Sequence, residues 1–244
     1  MLLKSIKDEK KTVLVPAFNC PVVEDAILKA GWEVRLYDFS SKIGVFDWDK
    51  LLAELDNHIG VIIVTHYFGV PVNFLKIKEK CNEMDILIIE DCAHTLGGRI
   101  DDLMAGTIGD ASIFSFNYDK PISLGWGGFV LINNQNKFNV IDDSEWCIPS
   151  LRCELDFLYD FILSMSNRRR AIPLKRFTIF KIINKFDLFK YFFQQEFIID
   201  ENISIGALQA ELGRYCLKRY SKVLEKRNTN SELVSKEINT LSWP

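Results

Sequence analysis

Short, almost wholly apolar runs alternate with amphipathic stretches over the first 135 residues. Thr12–Phe18 (TVLVPAF) reads as a buried strand. Pro21 suits the first turn of a helix that runs to Ala30 and is closed by Gly31. Trp32–Phe39 is a second strand and Asp47–Leu55 a helix. Val61–Phe68 (VIIVTHYF) is a strand, and Val72–Asn82 a helix opening after Pro71. Ile86–Asp91 (ILIIED) is a strand with its acids at the carboxyl end. Ala111–Phe116 and Phe129–Ile132 complete the set. Strands alternating with helices predict an α/β fold, a three-layer sandwich around a mostly parallel sheet covered on both faces. Ligands in such sheets bind beyond the carboxyl ends of the strands, and His66, Asp91 and Ser115 fall at or near such ends.

The pattern changes after residue 150. Leu151–Phe197 is rich in Phe, Leu and Ile and carries a basic cluster at Arg168–Arg170. It reads as an amphipathic helical insertion packed on the sheet or on a partner subunit. The mixture of aromatic and basic residues also admits a membrane-surface reading, but Glu154, Asp156 and Asp160 interrupt the apolar run and favour packing. Ser204–Ile238 reads as a long polar helix.

Composition narrows the classes. Of the 244 residues 48% are hydrophobic and 26% charged, an ordinary globular balance. A net charge of −3 gives no basic face for nucleic acid. Six cysteines without CxxC pairing argue against zinc and for a reduced, cytoplasmic setting. No apolar run reaches the 18 or so residues of a membrane span. The charged run Lys7–Lys11 follows Met1 too closely for a signal peptide.

Three features carry chemistry. Lys120 ends the run FSFNYDK (114–120), 29 positions after the Glu90-Asp91 pair, and a Gly-rich turn follows at Gly125–Gly128. A lysine, an upstream acid and a polar turn are what a protein needs to hold pyridoxal phosphate. The lysine meets the aldehyde, the acid keeps the ring nitrogen protonated, and the turn carries the phosphate. Asp91 ends four consecutive aliphatic residues, so its carboxylate needs a partner; a pyridinium N–H would be one, and a helix cap is the competing role. His94 could lie against the ring or bond its phenolic oxygen. Ser115 and Asn117 could bind phosphate oxygens, or form a plain strand-to-loop transition.

In order, these segments resemble the DegT/StrS-type nucleotide-sugar aminotransferases, a pyridoxal-phosphate family of the aspartate-aminotransferase fold. The matching stretches are VLVPAFNCPVVEDAILKAGWEVRLYDF, VIIVTHYFGVPVNFLKIKEKC, ILIIEDCAHTLGG, GDASIFSFNYDKPISLGWGG and SIGALQAELGRYCLKRYSKVLEKR. The resemblance implies that Lys120 is the Schiff-base lysine and Asp91 the pyridinium partner. It also implies that His94 contacts the ring and Ser115 the phosphate. It implies a homodimer that transfers an amino group from glutamate to a nucleotide-linked ketosugar. A sister group of sugar dehydratases has His in place of the lysine, so Lys120 favours transamination. A large domain over 1–203 and a long helix from 204 leading into a small domain are expected. Against the family pattern the chain lacks an N-terminal phosphate loop and most of that small domain. Cys20 stands where an aromatic often stacks on the ring, with Phe18 close, and Trp126 replaces a usual Glu. A non-catalytic remnant that keeps the fold and dimer surface is therefore the alternative to an enzyme.

Overall fold

A computed structural model of the chain describes residues 2–7, 9–40, 46–140, 146–155, 157 and 204–240. Most of the expected insertion (about 150–200) lies outside them, and so does its membrane-surface reading. The chain divides into two compact units, one of Met1–Pro121 with Gly128–Asp142, the other of Ile122–Gly127 with Asp143–Pro244.

The first unit is built on β1 (Thr12–Pro16), α1 (Pro21–Lys29), β2 (Glu33–Tyr37), α2 (Trp48–Ala53), β3 (Ile59–Thr65), α3 (Leu75–Glu83) and β4 (Leu87–Asp91). A short hairpin, β5 (Arg99–Ile100) and β6 (Leu103–Met104), precedes β7 (Ala111–Ser115) and β8 (Gly128–Ile132). The main sheet has the order β2-β1-β3-β4-β7-β8. Its pairings are parallel up to β7, and β8 joins antiparallel. Hydrophobic patterning does not register the β5–β6 hairpin, whose strands have two residues each.

Every residue of β1, β3 and β4 is buried, which explains apolar runs without alternation. Alternation survives in which face each residue packs. Leu14, Ile62, Val64 and Ile88 meet Leu51 of α2 and Phe74, Ile77 and Cys81 at α3. Val13, Val15, Val61, Ile63, Leu87 and Ile89 meet Ile27 of α1, Trp32 and Phe138. Each such side chain contributes about 1.5–3 kcal/mol by leaving water, and together they fix three layers.

Local chemistry sets the boundaries. Pro21 opens α1 and Gly31, at φ +81°, ends it. The Asp47 carboxylate accepts the Lys50 N–H and caps α2. The strand expected to reach Phe68 stops at Thr65, because the chain turns through a 3-10 segment at Tyr67–Gly69 with Phe68 at φ +54°. Helix α3 starts at Leu75 rather than Val72. The Val72 N–H donates to His66 Nδ1 at 3.0 Å, and Asn73 Oδ1 accepts the Leu75 N–H; both bonds hold the chain out of helical geometry.

In the second unit the long helix α4 covers Ala207–Thr240, close to the expected 204–238. The Glu154 carboxylate accepts the Ala207 and Leu208 N–H groups at its start. The buried Gln209 amide donates to the carbonyls of Leu124 and Trp126. Gly125 and Gly127 lie at φ +89° and +86°, so the Gly-rich turn needs glycine for its backbone.

Candidate functional site

The carboxyl ends of β1, β3 and β4 open onto a cavity of about 250 Å³, walled by residues 18–20, 65–68, 91, 93 and 94 together with Lys120. Asp91 ends β4, Lys120 follows β7, and His94 lies in the turn after Asp91. The structure therefore brings together three residues spread over 30 positions of sequence. Ser115 and Asn117 are not among the residues that wall the cavity. They sit at the end of β7, where Ser115 Oγ accepts the Asn117 N–H at 3.3 Å.

Asp91 is 6% exposed. Burial pushes its carboxyl above the usual range, opposed by the Ala93 N–H bond and the positive field of His94 and Lys120. One oxygen accepts from Ala93 at 3.0 Å, and the other takes no hydrogen bond from any described residue. Lys120 Nζ stands 2.8 Å from His94 Nε2 and 3.4 Å from the Asp119 carboxylate, with its side chain 15% exposed. The face of the His94 ring lies near-parallel to Phe68 at 6.3 Å. Phe18 and Cys20 both wall the cavity, and the Phe18 ring leans on Tyr67 at 5.7 Å. The Tyr67 phenol donates to the Phe18 carbonyl, and burial drives its pKa to about 12.

Behind this wall lies a brace that the sequence reading did not assign. His66 and Glu90 have fully buried side chains, with Nε2 and Oε2 3.0 Å apart. His66 Nδ1 accepts from Val72, so Nε2 carries the ring proton and donates to Glu90. Glu90 also accepts the N–H groups of Gly106, Ile108 and Gly109. Burial alone would raise its carboxyl, but the His66 bond and the three amides outweigh that and hold it below the usual range. Cys92 lies beside this pair, all three within 4.8 Å. With both ring nitrogens and both carboxylate oxygens already bonded, the group reads as a strut between β3, β4 and the 106–109 loop. In the sequence only a His at the end of a strand is visible; its pairing with Glu90 depends on the strand order.

Comparison with known proteins shows the family. The profile of the DegT/DnrJ/EryC1/StrS aminotransferase family matches residues 1–143. The chain belongs to this family. The UDP-4-amino-4,6-dideoxy-N-acetyl-beta-L-altrosamine transaminase of Campylobacter jejuni is 32% identical over 54% of this chain and 36% of its own length. The GDP-perosamine synthase of Escherichia coli O157:H7 is 28% identical over 54% and 36%. The chain thus spans about a third of the length of the curated relatives it matches. Among solved structures, AtS13 from Actinomadura melliaura superposes with a TM-score of 0.64 at 19% identity, over 98% of this chain and 57% of that one, which shows the shared fold. Among the described residues, no helix is long and apolar enough to cross a membrane.

Proposed function

We propose that this family member carries a pyridoxal-phosphate-dependent aminotransferase site for a nucleotide-linked ketosugar, with glutamate as amino donor. On this reading it serves polysaccharide or glycoconjugate synthesis as a cytoplasmic homodimer. The observation that carries the reading is that Lys120 and Asp91 reach one cavity at the carboxyl edge of the sheet. The names of the two relatives, a transaminase and a synthase of nucleotide-linked sugars, support the substrate class.

The residues fit the cofactor. A buried carboxylate with one oxygen unbonded suits a pyridinium N–H, and a lysine amine inside the cavity suits an aldehyde. When bound, pyridoxal phosphate supplies that aldehyde and a ring that withdraws electrons from the substrate's alpha carbon. Asp91 would accept the ring N–H and keep it protonated. His94 accepts a hydrogen bond from Lys120 and fixes where the amine points. The Lys120 amine would serve as the base that takes the proton from the substrate's alpha carbon and as the acid that delivers it to the cofactor carbon. Phe18 and Phe68 would supply apolar surface for the ring. Ser115 and Asn117 remain proposed phosphate contacts at the end of β7.

The test is the visible absorbance of the purified protein with pyridoxal phosphate. An imine band, distinct from the absorbance of the free cofactor, is expected in the parent and none in Lys120→Ala. A parent protein that shows no band at saturating cofactor sinks this reading and leaves the non-catalytic remnant.

A further inference from the structure

Two polar groups in the cavity wall have no use in the ligand-free fold. Thr65 is 8% exposed, and its hydroxyl has no hydrogen-bond partner among the described residues. It lies close enough to the Tyr67 oxygen to favour ionisation there, but the contact falls outside hydrogen-bond geometry, and the phenol's own hydrogen goes to the Phe18 carbonyl. Asn19 spends its Oδ1 on the Cys20 N–H at 2.8 Å, which orients the amide, and its buried Nδ2 has no acceptor among the described residues. Buried polar groups are paired in the great majority of cases, because an unmade bond costs folding free energy. Finding two orphans in one cavity wall points to a partner that arrives from outside.

Their placement says which kind. Thr65 and Asp91 are register partners on the neighbouring parallel strands β3 and β4, so their side chains leave the same face of the sheet. Asn19 reaches the cavity from the end of β1. Among the described residues the Thr65 hydroxyl makes no hydrogen bond that a ligand oxygen would have to displace. The cavity then offers one strong acceptor (Asp91), two spare donors (Thr65 and Asn19) and an amine (Lys120). A ligand matched to it has one N–H, several oxygen acceptors and a carbonyl carbon.

We infer that Thr65 and Asn19 are ligand contacts, each donating a hydrogen bond to an oxygen of the molecule held by Asp91 and Lys120. The inference rests on the reading above, in which that molecule is pyridoxal phosphate, whose phenolic and phosphate oxygens are the acceptors.

The experiment compares the parent with Thr65→Val, Thr65→Ser and Asn19→Asp. It measures ligand-free melting temperature and the dissociation constant for pyridoxal phosphate from absorbance titration. Valine has threonine's shape and loses only the orphan hydroxyl. Thr65→Val should therefore melt at or above the parent temperature while binding cofactor about two- to ten-fold more weakly, the worth of one hydrogen bond. Thr65→Ser should bind within about two-fold of the parent, since it keeps the hydroxyl that this bond needs. Asn19→Asp keeps the acceptor for Cys20 but replaces the donor with a charge, and should weaken binding by ten-fold or more, roughly the loss expected when a donor is lost and like charges meet. Unchanged affinity in both Thr65→Val and Asn19→Asp overturns the inference while the parent's absorbance band keeps the cofactor reading. A lowered melting temperature in ligand-free Thr65→Val also overturns it, by making the hydroxyl structural. A parent with no band overturns both.

Discussion

Glu90 and Asp91 are consecutive in β4, and their carboxylates serve opposite faces of the sheet. Glu90 is saturated by His66 and three backbone amides, whereas Asp91 faces the cavity with a single amide bond. One acid is held below its usual range and the other above it. The strand's period of two turns a one-residue step into a change of role, from brace to proposed binding group.

The first consequence concerns Asp91. A buried carboxyl with a raised pKa costs the folded state stability as pH rises from the unfolded pKa to the folded one, and that loss persists above. Asp91→Asn should therefore make the ligand-free protein more stable than the parent at pH 7, with the gap closing in acid. Urea unfolding across pH 3–7 checks this. Turnover should fall by roughly 10²–10³-fold, as when a preorganised charge contact is removed. Equal turnover in mutant and parent would remove Asp91 from its proposed role.

Glu90 carries the opposite sign. A depressed carboxyl contributes stability that is present above the unfolded pKa and lost as pH falls through the folded one. Glu90→Gln breaks the pairing with His66 and leaves an amide N–H facing the donors of the 106–109 loop. It should cost about 3–5 kcal/mol at neutral pH, the range for breaking a buried pair, and flatten the acid limb of the stability profile. Chemical denaturation at pH 7 and pH 4 reads both effects.

His94 separates stacking from hydrogen bonding. His94→Phe keeps a ring against Phe68 and removes the acceptor for Lys120; His94→Gln does the reverse. Cofactor capture followed by stopped-flow absorbance should slow about ten-fold in the phenylalanine variant, the effect of one lost charge-assisted bond. The glutamine variant should stay near the parent. Slowing in the glutamine variant alone would assign His94's part to the ring face.

Much of the architecture was legible because buried parallel strands leave a coarse signature. TVLVP, VIIVT and LIIED could hardly be anything else, and Pro21 and Gly31 mark the limits of α1. Boundaries that failed did so for tertiary reasons. Val72 is kept out of α3 by a bond to His66, six residues back, and Phe68 leaves the strand through a left-handed turn. Periodicity cannot register either, because one is a side-chain bond to a backbone N–H and the other a local backbone conformation.

The site divides the same way. Lys120, Asp91 and His94 stood out in the sequence as residue types at telling positions, since an acid after four aliphatic residues must have a purpose. Their convergence on one cavity required the strand order, which sets β4 beside both β3 and β7. The unpaired hydroxyl of Thr65 and the saturated carboxylate of Glu90 were invisible beforehand. Composition and spacing determine which groups a chain owns; only three-dimensional packing decides which of them find partners inside the fold and which are left for something else to bind.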